Sequence, residues 1–511
     1  MKSRWSRRLL LFITLLAAHA ASAQRWPDAA PRAPGEGEGP YTRLVIEGVM
    51  VIDGSGAPPY GPTSIAVEGG RIASIGGGAS SGATEPGIRR IDAHGMYVMP
   101  GMVDTHVRLM DTEREGMTPD YALKLLLAHG ITTVTSMQDE DQLDWAVHLA
   151  KQSASNAIVA PRIQPWVDIA PRTADEARAV VRRVRARGAM GIGEGSMGSM
   201  VLAKAVLQEV NRLGMRASWH MNARQAHRLN ALDAARIGLH GLAHWYALPE
   251  ALFAGQPLQR YPADYNFSDV RSRFRQSGRL WKQVAPRGSA LREAVLTELR
   301  SLDFTLEPTF SVYEANRDYM GVRNAEWNRK YLHPVLEREF TPSGEGRFAH
   351  FYDWSSTDEV AWKDNFRRWM EFVAEYKDRG GRVVAGSDSG YMWTLFGFGY
   401  VRNLEMLQEA GFTTLEVLRS ATLQGAEHLK LDDRLGTIEV GKLADLVVIP
   451  ANPLENLKVF YGTGFDSLRA DGRIGRDGGV RYTVKDGVVY DAPALLESVA
   501  RMVAEARDRQ R

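Results

Sequence analysis

The fold turns on the stretch Val98-Met99-Pro100-Gly101-Met102-Val103-Asp104-Thr105-His106-Val107-Arg108, an apolar run that closes on an imidazole and a guanidinium. On a strand, residues two apart share a face, so His106 and Arg108 point the same way. Downstream, Tyr121 to His129 has helical periodicity and Thr132 to Thr135 is a second short apolar run. The pattern continues with runs at Ile158 to Ile163, Ala217 to Trp219 and Arg382 to Ala385, and with helix-period stretches at Ala174 to Arg187, Val201 to Leu213 and Leu291 to Leu302. Such alternation predicts parallel βα units, most economically an α/β fold of the (β/α)8 TIM-barrel type over residues 98–430.

The flanks have a different texture. Leu44 to Ile46, Val49 to Ile52, Ser64 to Val67 and Arg71 to Ile75 are β-type runs broken by Gly, Pro and Asp. Thr437 to Val440, Leu446 to Ile449, Tyr482 to Val484 and Val488 to Tyr490 repeat that texture at the other end, the last two as a hairpin around Lys485-Asp486-Gly487. They predict a small β-sandwich built from both chain ends, residues 41–97 and 431–491, followed by a C-terminal helix over 492–511. Residues 250–380 are irregular and rich in aromatics, among them Trp281, Trp327 and Trp354. They read as an elaborated loop section over one end of the barrel. Within it Trp362, Phe366, Trp369 and Val373 have helical spacing and read as core.

Lys2, Arg4, Arg7 and Arg8 precede the apolar run Leu9 to Ala18 and then Ala21-Ser22-Ala23. This reads as a cleaved secretory signal over 1–23, shorter than the roughly 20 residues of a membrane helix. Residues 24–40, rich in Pro, Gly and Glu, read as a flexible leader. Cleavage would leave 488 residues and remove four positive charges and no acid, taking the net charge from +2 to −2. That balance argues against a nucleic-acid partner and, once the signal is gone, against a membrane partner. The absence of cysteine excludes disulfides, thiol nucleophiles and cysteine-ligated zinc. The expectation is an exported, periplasmic protein of ordinary globular composition.

Four candidate positions end apolar runs, where barrel strands present their chemistry: His106, His220, His244 and Asp388. Imidazoles and a carboxylate from separate strands are what a divalent metal needs.

The order and flanks of these residues resemble the amidohydrolase superfamily, its imidazolonepropionase/prolidase-like branch, across roughly residues 43–491. The resemblance rests on Ile91-Asp92-Ala93 leading to Pro100-Gly101-Met102-Val103-Asp104-Thr105-His106, on His129-Gly130-Ile131-Thr132-Thr133, and on Gly386-Ser387-Asp388-Ser389-Gly390. Its most specific part is Leu435-Gly436-Thr437-Ile438-Glu439-Val440-Gly441-Lys442-Leu443-Ala444-Asp445-Leu446-Val447-Val448. The resemblance implies a metal-dependent hydrolase with His-x-His on the first strand and a carboxylated Lys or a Glu on the fourth. It further implies one His each on the fifth and sixth strands and an Asp on the eighth. His106, His220, His244 and Asp388 match four of these places, with His240 a competitor for His244.

Two positions depart from the pattern. Arg108 stands where the second His of a His-x-His motif belongs, and a guanidinium has no lone pair to give. Gly193 stands where the fourth-strand Lys belongs, which argues against a bridged two-metal centre. Two one-metal sets remain open. In one, His220, His244 and Glu194 hold the ion while Asp388 is free as base, although Glu194 reads equally well as a loop carboxylate. In the other, His106, His220, His244 and Asp388 hold it.

The reading is a hydrolase of carbon–nitrogen bonds other than ordinary peptide bonds, acting on a small-molecule amide or N-acyl substrate. It would use one divalent metal, zinc, with Asp388 as general base and Arg108 or His244 at the oxyanion. The alternatives are a metal-free barrel that binds small molecules, or a metal-independent lyase or cyclase. His94, His129, His148 and His428 read as structural. Tyr313, Arg317 and Tyr391-Met392-Trp393 are placed to contact substrate.

Overall fold

Five strands come before the barrel: β1 (Arg43–Val51), β2 (Tyr60–Glu68), β3 (Arg71–Ile75), β4 (Ile88–Asp92) and β5 (Tyr97–Pro100). The structure, a computed structural model, describes residues 26–77, 87–109, 116–195, 199–221, 223–341 and 353–510. The signal segment expected over 1–23 lies outside the described residues.

Eight parallel strands follow: β6 (Met102–Val107), β7 (Ile131–Asp139), β8 (Arg162–Ile169), β9 (Gly191–Gly195), β10 (Arg216–His220), β11 (Gly241–Ala243), β12 (Thr305–Glu307) and β13 (Arg382–Val383). They neighbour one another in strict chain order, as expected when helical crossovers return the chain to successive parallel strands. The sheet curls until its edges meet. Thr105 N donates to Ala385 O at 3.1 Å, Asp388 N to His106 O at 2.8 Å and Arg108 N to Ser389 O at 3.4 Å, joining β6 to the segment that continues β13. This is the mixed α/β, TIM-like architecture read from the alternation.

The crossovers follow simple rules. The helix Ala174–Arg187 starts where the Thr173 side chain accepts from Glu176 N, ends at the left-handed Gly188 (φ 111°), and buries Ala177, Val180, Val181 and Val184 on one face. Within 250–380, read as irregular, the chain is largely helical. Ala290–Ser301 and the 23-residue helix Ser356–Asp378 frame β12. In the latter, Trp362, Phe366, Trp369 and Val373 are buried, with Trp369 4.6 Å and Phe366 5.6 Å from the Phe310 ring, centroid to centroid. They are core, as their spacing indicates.

After the barrel come β14 (Leu446–Ile449), β15 (Phe465–Leu468), β16 (Ile474–Asp477), β17 (Tyr482–Lys485) and β18 (Val488–Asp491), then the helix Ala492–Asp508. Strand pairing joins β18-β17-β14-β5-β1-β2-β3, with β4 on β1, so both chain ends build one connected eight-stranded sheet. The β17–β18 hairpin turns through Asp486 (φ 50°) and Gly487 (φ 79°), the positive-φ pair of a type I′ turn.

Two strand expectations are corrected. Thr437 to Val440 is not a strand, although Ile438 N bonds to Asp53 O and its side chain enters the small-sheet core. The third barrel strand runs from Arg162 to Ile169 rather than over Ile158 to Ile163. Among the described residues no helix is long and apolar enough to cross a membrane.

Candidate active site

The chemistry gathers at the C-terminal ends of the barrel strands. His106 ends β6, His220 ends β10, His244 follows β11, Glu307 ends β12 and Asp388 follows β13. His244 (φ 66°), Thr309 (φ 48°) and Asp388 (φ 50°) all hold left-handed backbone conformations. Each such residue costs about 1–3 kcal/mol, and strain of this kind concentrates where side chains must be aimed. Backbone bonds clamp two of them: His244 N donates to Glu307 O and Asp388 N to His106 O, both at 2.8 Å.

Asp388 is the hub. Its Oδ1 lies 3.5 Å from His106 Nε2 and its Oδ2 lies 3.7 Å from His244 Nε2. One donor atom from each of the three residues falls within 4.8 Å of the others. The Thr309 hydroxyl donates to Pro308 O at 2.7 Å, so toward His244 Nδ1, at 2.5 Å, it can only accept. The proton of His244 is therefore on Nδ1, and Nε2 turns its lone pair toward Asp388.

His106 is 1% exposed and lies between two carboxylates, with Glu307 Oε2 3.6 Å from its Nδ1. Burial pulls this imidazole down, but Asp388 and Glu307 outweigh it and hold it above its usual value. His220 is pushed down to about 3, by burial first and then by Arg108, and His244 is driven well down by burial. Behind the hub, Asp104 accepts from Ser387 N at 2.9 Å and Ser387 Oγ at 2.5 Å, and burial still raises it to about 7.

Asp388 Oδ1 also meets a fixed cation. Arg108 Nε lies 3.4 Å from Asp388 Oδ1, its NH1 lies 3.8 Å from Asp168 Oδ2, and its guanidinium lies 5.4 Å from the Tyr391 ring centroid. A Cβ on Gly193 would meet Met137 Sδ at 2.6 Å and Asp168 Oδ1 at 2.8 Å. The space a fourth-strand lysine would need is thus filled by the partner of Arg108. Glu194 belongs to β9, but its side chain lies outside the described residues.

His106, His244 and Asp388 are brought together, while His220 stands one ring away. Its ring lies 4.5 Å from that of His244 and stacks on Tyr246 at 4.7 Å, centroid to centroid. His240 is directed elsewhere, accepting from Ala217 N at 3.1 Å and meeting Asn211 Oδ1 at 2.9 Å. Tyr313 is near the centre, its ring 5.5 Å from that of His244. Arg317 is not, because Glu409 takes its guanidinium at 2.7 and 2.9 Å.

Sequence reasoning missed Asp168, Glu307 and Thr309. For Glu307 a signal exists in Gly386, where a Cβ would lie 2.2 Å from Glu307 Oε1. The glycine of the Gly386-Ser387-Asp388 segment makes room for that carboxylate.

These residues suit one divalent cation. His106 Nδ1 and Nε2, Glu307 Oε2 and Asp388 Oδ1 are buried without hydrogen-bond partners among the described residues. Asp168 and Asp388 flank the Arg108 guanidinium and Glu307 lies beside His106, so when ionised the three carboxylates outnumber the one fixed cation. Two imidazoles and a carboxylate are also a familiar zinc donor set.

Comparison with known proteins agrees with this frame. Residues 366–489 match the model of the Amidohydrolase family. The 5-methylthioadenosine/S-adenosylhomocysteine deaminase of Symbiobacterium thermophilum is 26% identical over 475 residues, 88% of this chain and 94% of that protein. The solved structure of a putative prolidase from Bifidobacterium longum superimposes with a TM-score of 0.60 at 18% identity, over 90% of this chain and 99% of its own. Bottromycin amidohydrolase superimposes with a TM-score of 0.62 at 16% identity, over 91% of each. With its closed parallel barrel and strand-end donors, the chain is similar to the amidohydrolase superfamily, and its deaminase and deacylase relatives support an enzyme.

Proposed function

We propose that the chain is an exported hydrolase of carbon–nitrogen bonds other than ordinary peptide bonds, acting on a small-molecule amide or N-acyl substrate. In this reading His106, His244 and Asp388 hold one divalent cation, with zinc favoured by the donor set and His220 the next candidate ligand. The observation that carries it is the buried convergence of those three donors within 4.8 Å on a chain that matches a relative named deaminase over 475 residues and N-acyl-D-glutamate deacylase over 93. Bound there, such an ion would supply Lewis acidity toward a carbonyl oxygen and toward water.

The chain's own residues do the rest. Asp388 takes the proton of the attacking water and returns it to the leaving nitrogen. Thr309 holds the His244 proton on Nδ1, so that imidazole cannot act as a competing acid through Nε2. Arg108, braced by Asp168 and lying beside Tyr391, offers guanidinium N–H groups to the developing oxyanion, a role worth about 3–4 kcal/mol for a single donor.

Replacing Asp388→Asn should lower amide turnover by about 10²–10⁴-fold, measured as amine release on a panel of N-acyl amino acids. Undiminished turnover would remove Asp388 from the mechanism. Export would place the mature N-terminus at Gln24 in a periplasmic fraction, read by N-terminal sequencing.

A second reading, a metal-free barrel that binds small molecules or a lyase using Asp388 as base, has one observation in its favour. His106 lies between Asp388 and Glu307, which hold its pKa above the usual value, and Arg108 lies alongside, so a proton on His106 would satisfy part of the negative charge without a metal.

A further inference from the structure

The helix Val270–Ser277 and the turn after it carry four arginines, and three of them meet carboxylates. Arg271 lies 3.8 Å from Asp353, Arg275 lies 3.6 Å from Asp353 and 3.4 Å from Asp358, and Arg279 lies 2.7 Å from Asp358. Arg273 differs. It is half-buried, donates from NH1 to the Phe267 carbonyl at 3.2 Å, and meets no carboxylate among the described residues. It lines a cavity of about 250 Å³ together with His220, Arg224, Tyr246, Phe274 and Ser277.

That cavity adjoins the reaction centre, because His220 and Tyr246 form its inner wall and both rings pack on His244. No carboxylate lines it among the described residues. Glu250 shares a neighbouring cavity with Arg273 but forms no ion pair with it among the described residues. A half-desolvated guanidinium without a counter-anion is unfavourable, and its planar fork fits a carboxylate through two parallel hydrogen bonds. The rings of Tyr246 and Phe274 offer apolar faces beside it.

We propose that this cavity is the subsite for the carboxylate of the substrate, with Arg273 its specificity-determining residue, so that the preferred substrates are N-acyl amino acids rather than neutral amides. The proposal rests on the reading of the centre as a carbon–nitrogen hydrolase. It names the group that the cavity recognises and leaves the chemistry to Asp388.

The test is binding of N-benzoylglycine against N-benzoylglycinamide to the purified full chain, by calorimetry, with turnover of both followed in parallel. The acid should bind about tenfold more tightly than the amide, the usual worth of a charge-assisted pair. Arg273→Met should erase that preference and leave amide binding unchanged, Arg273→Lys should keep part of it, and Arg271→Met, on the same helix but facing Asp353, should keep it all. Equal binding of the two probes, binding of neither, or a preference that survives Arg273→Met overturns the proposal. Turnover of neutral amides without an acid preference would sink only the subsite. An Arg273-dependent preference without any turnover would sink only the hydrolase reading.

Discussion

The two sides of Asp388 solve the same electrostatic problem differently. On one side, His106 and His244 present imidazole nitrogens that can bind an ion. On the other, the places of a second imidazole and of a lysine are held by Arg108 and by Gly193, whose space Asp168 and Met137 fill. One side has the donors for a cation and the other has a cation built in. The lesson is that losing two ligands need not mean losing the site, because a fixed guanidinium can supply one positive charge without titrating or dissociating.

Breaking the arginine side should have the largest effect. Arg108→Met removes the guanidinium from between Asp168 and Asp388 in a nearly buried setting. It should cost about 3–5 kcal/mol of stability, read from denaturant midpoints, and about 10²–10³-fold in turnover. Arg108→His sharpens the same comparison. Because the space beside Gly193 stays filled, the variant should bind no more than one equivalent of metal, whereas two equivalents would show that a second site was only one residue away.

On the imidazole side, Glu307 should matter next. Its Oε1 accepts from Thr105 Oγ1 at 2.5 Å, which aims Oε2 at His106 Nδ1. Outer carboxylates of this kind are worth about 10–100-fold in metal affinity, so Glu307→Ala should weaken zinc binding by that factor in a chelator competition. Unchanged affinity would detach Glu307 from the centre.

The smallest effect on catalysis, and a visible one on stability, comes from histidines away from the site. Burial lowers His129, His240 and His333 to about 4. As pH falls below about 6.5 the unfolded chain takes up protons that these imidazoles refuse, so stability present at neutral pH is lost between about 6.5 and 4. The thermal midpoint should fall across that window, and His129→Gln should flatten the fall. An identical slope in the variant would show that His129 carries none of it.

Much of this was legible in the sequence. Long amphipathic periods such as Ala174–Arg187 declare a helix by themselves, and the His106 and Asp388 strand ends sit in recognisable flanks. Elsewhere the local signal is weak. The strand β12 is three residues long, too short for any period, and only the closed barrel brings Glu307 within 3.6 Å of His106. Ile158 to Ile163 has the apolar pattern of a strand, yet the ladder begins only after Pro161 and runs through the polar Gln164 and Asp168. Thr437 to Val440 carries a β-type pattern, but Ile438 is buried through the small-sheet core rather than through a ladder. Arg108 breaks the His-x-His pattern and reads as a candidate for the oxyanion, while its pairing with both Asp168 and Asp388 emerges only when the third and eighth strands come together.

The central claim is that one side of Asp388 holds a single divalent cation. Its most direct test is the metal content of the purified chain after zinc supplementation and desalting. The account predicts about one equivalent, lost in His244→Ala and in His106→Ala, as expected for a three-donor site. A value near zero in the parent chain, or one equivalent that survives both substitutions, would contradict it.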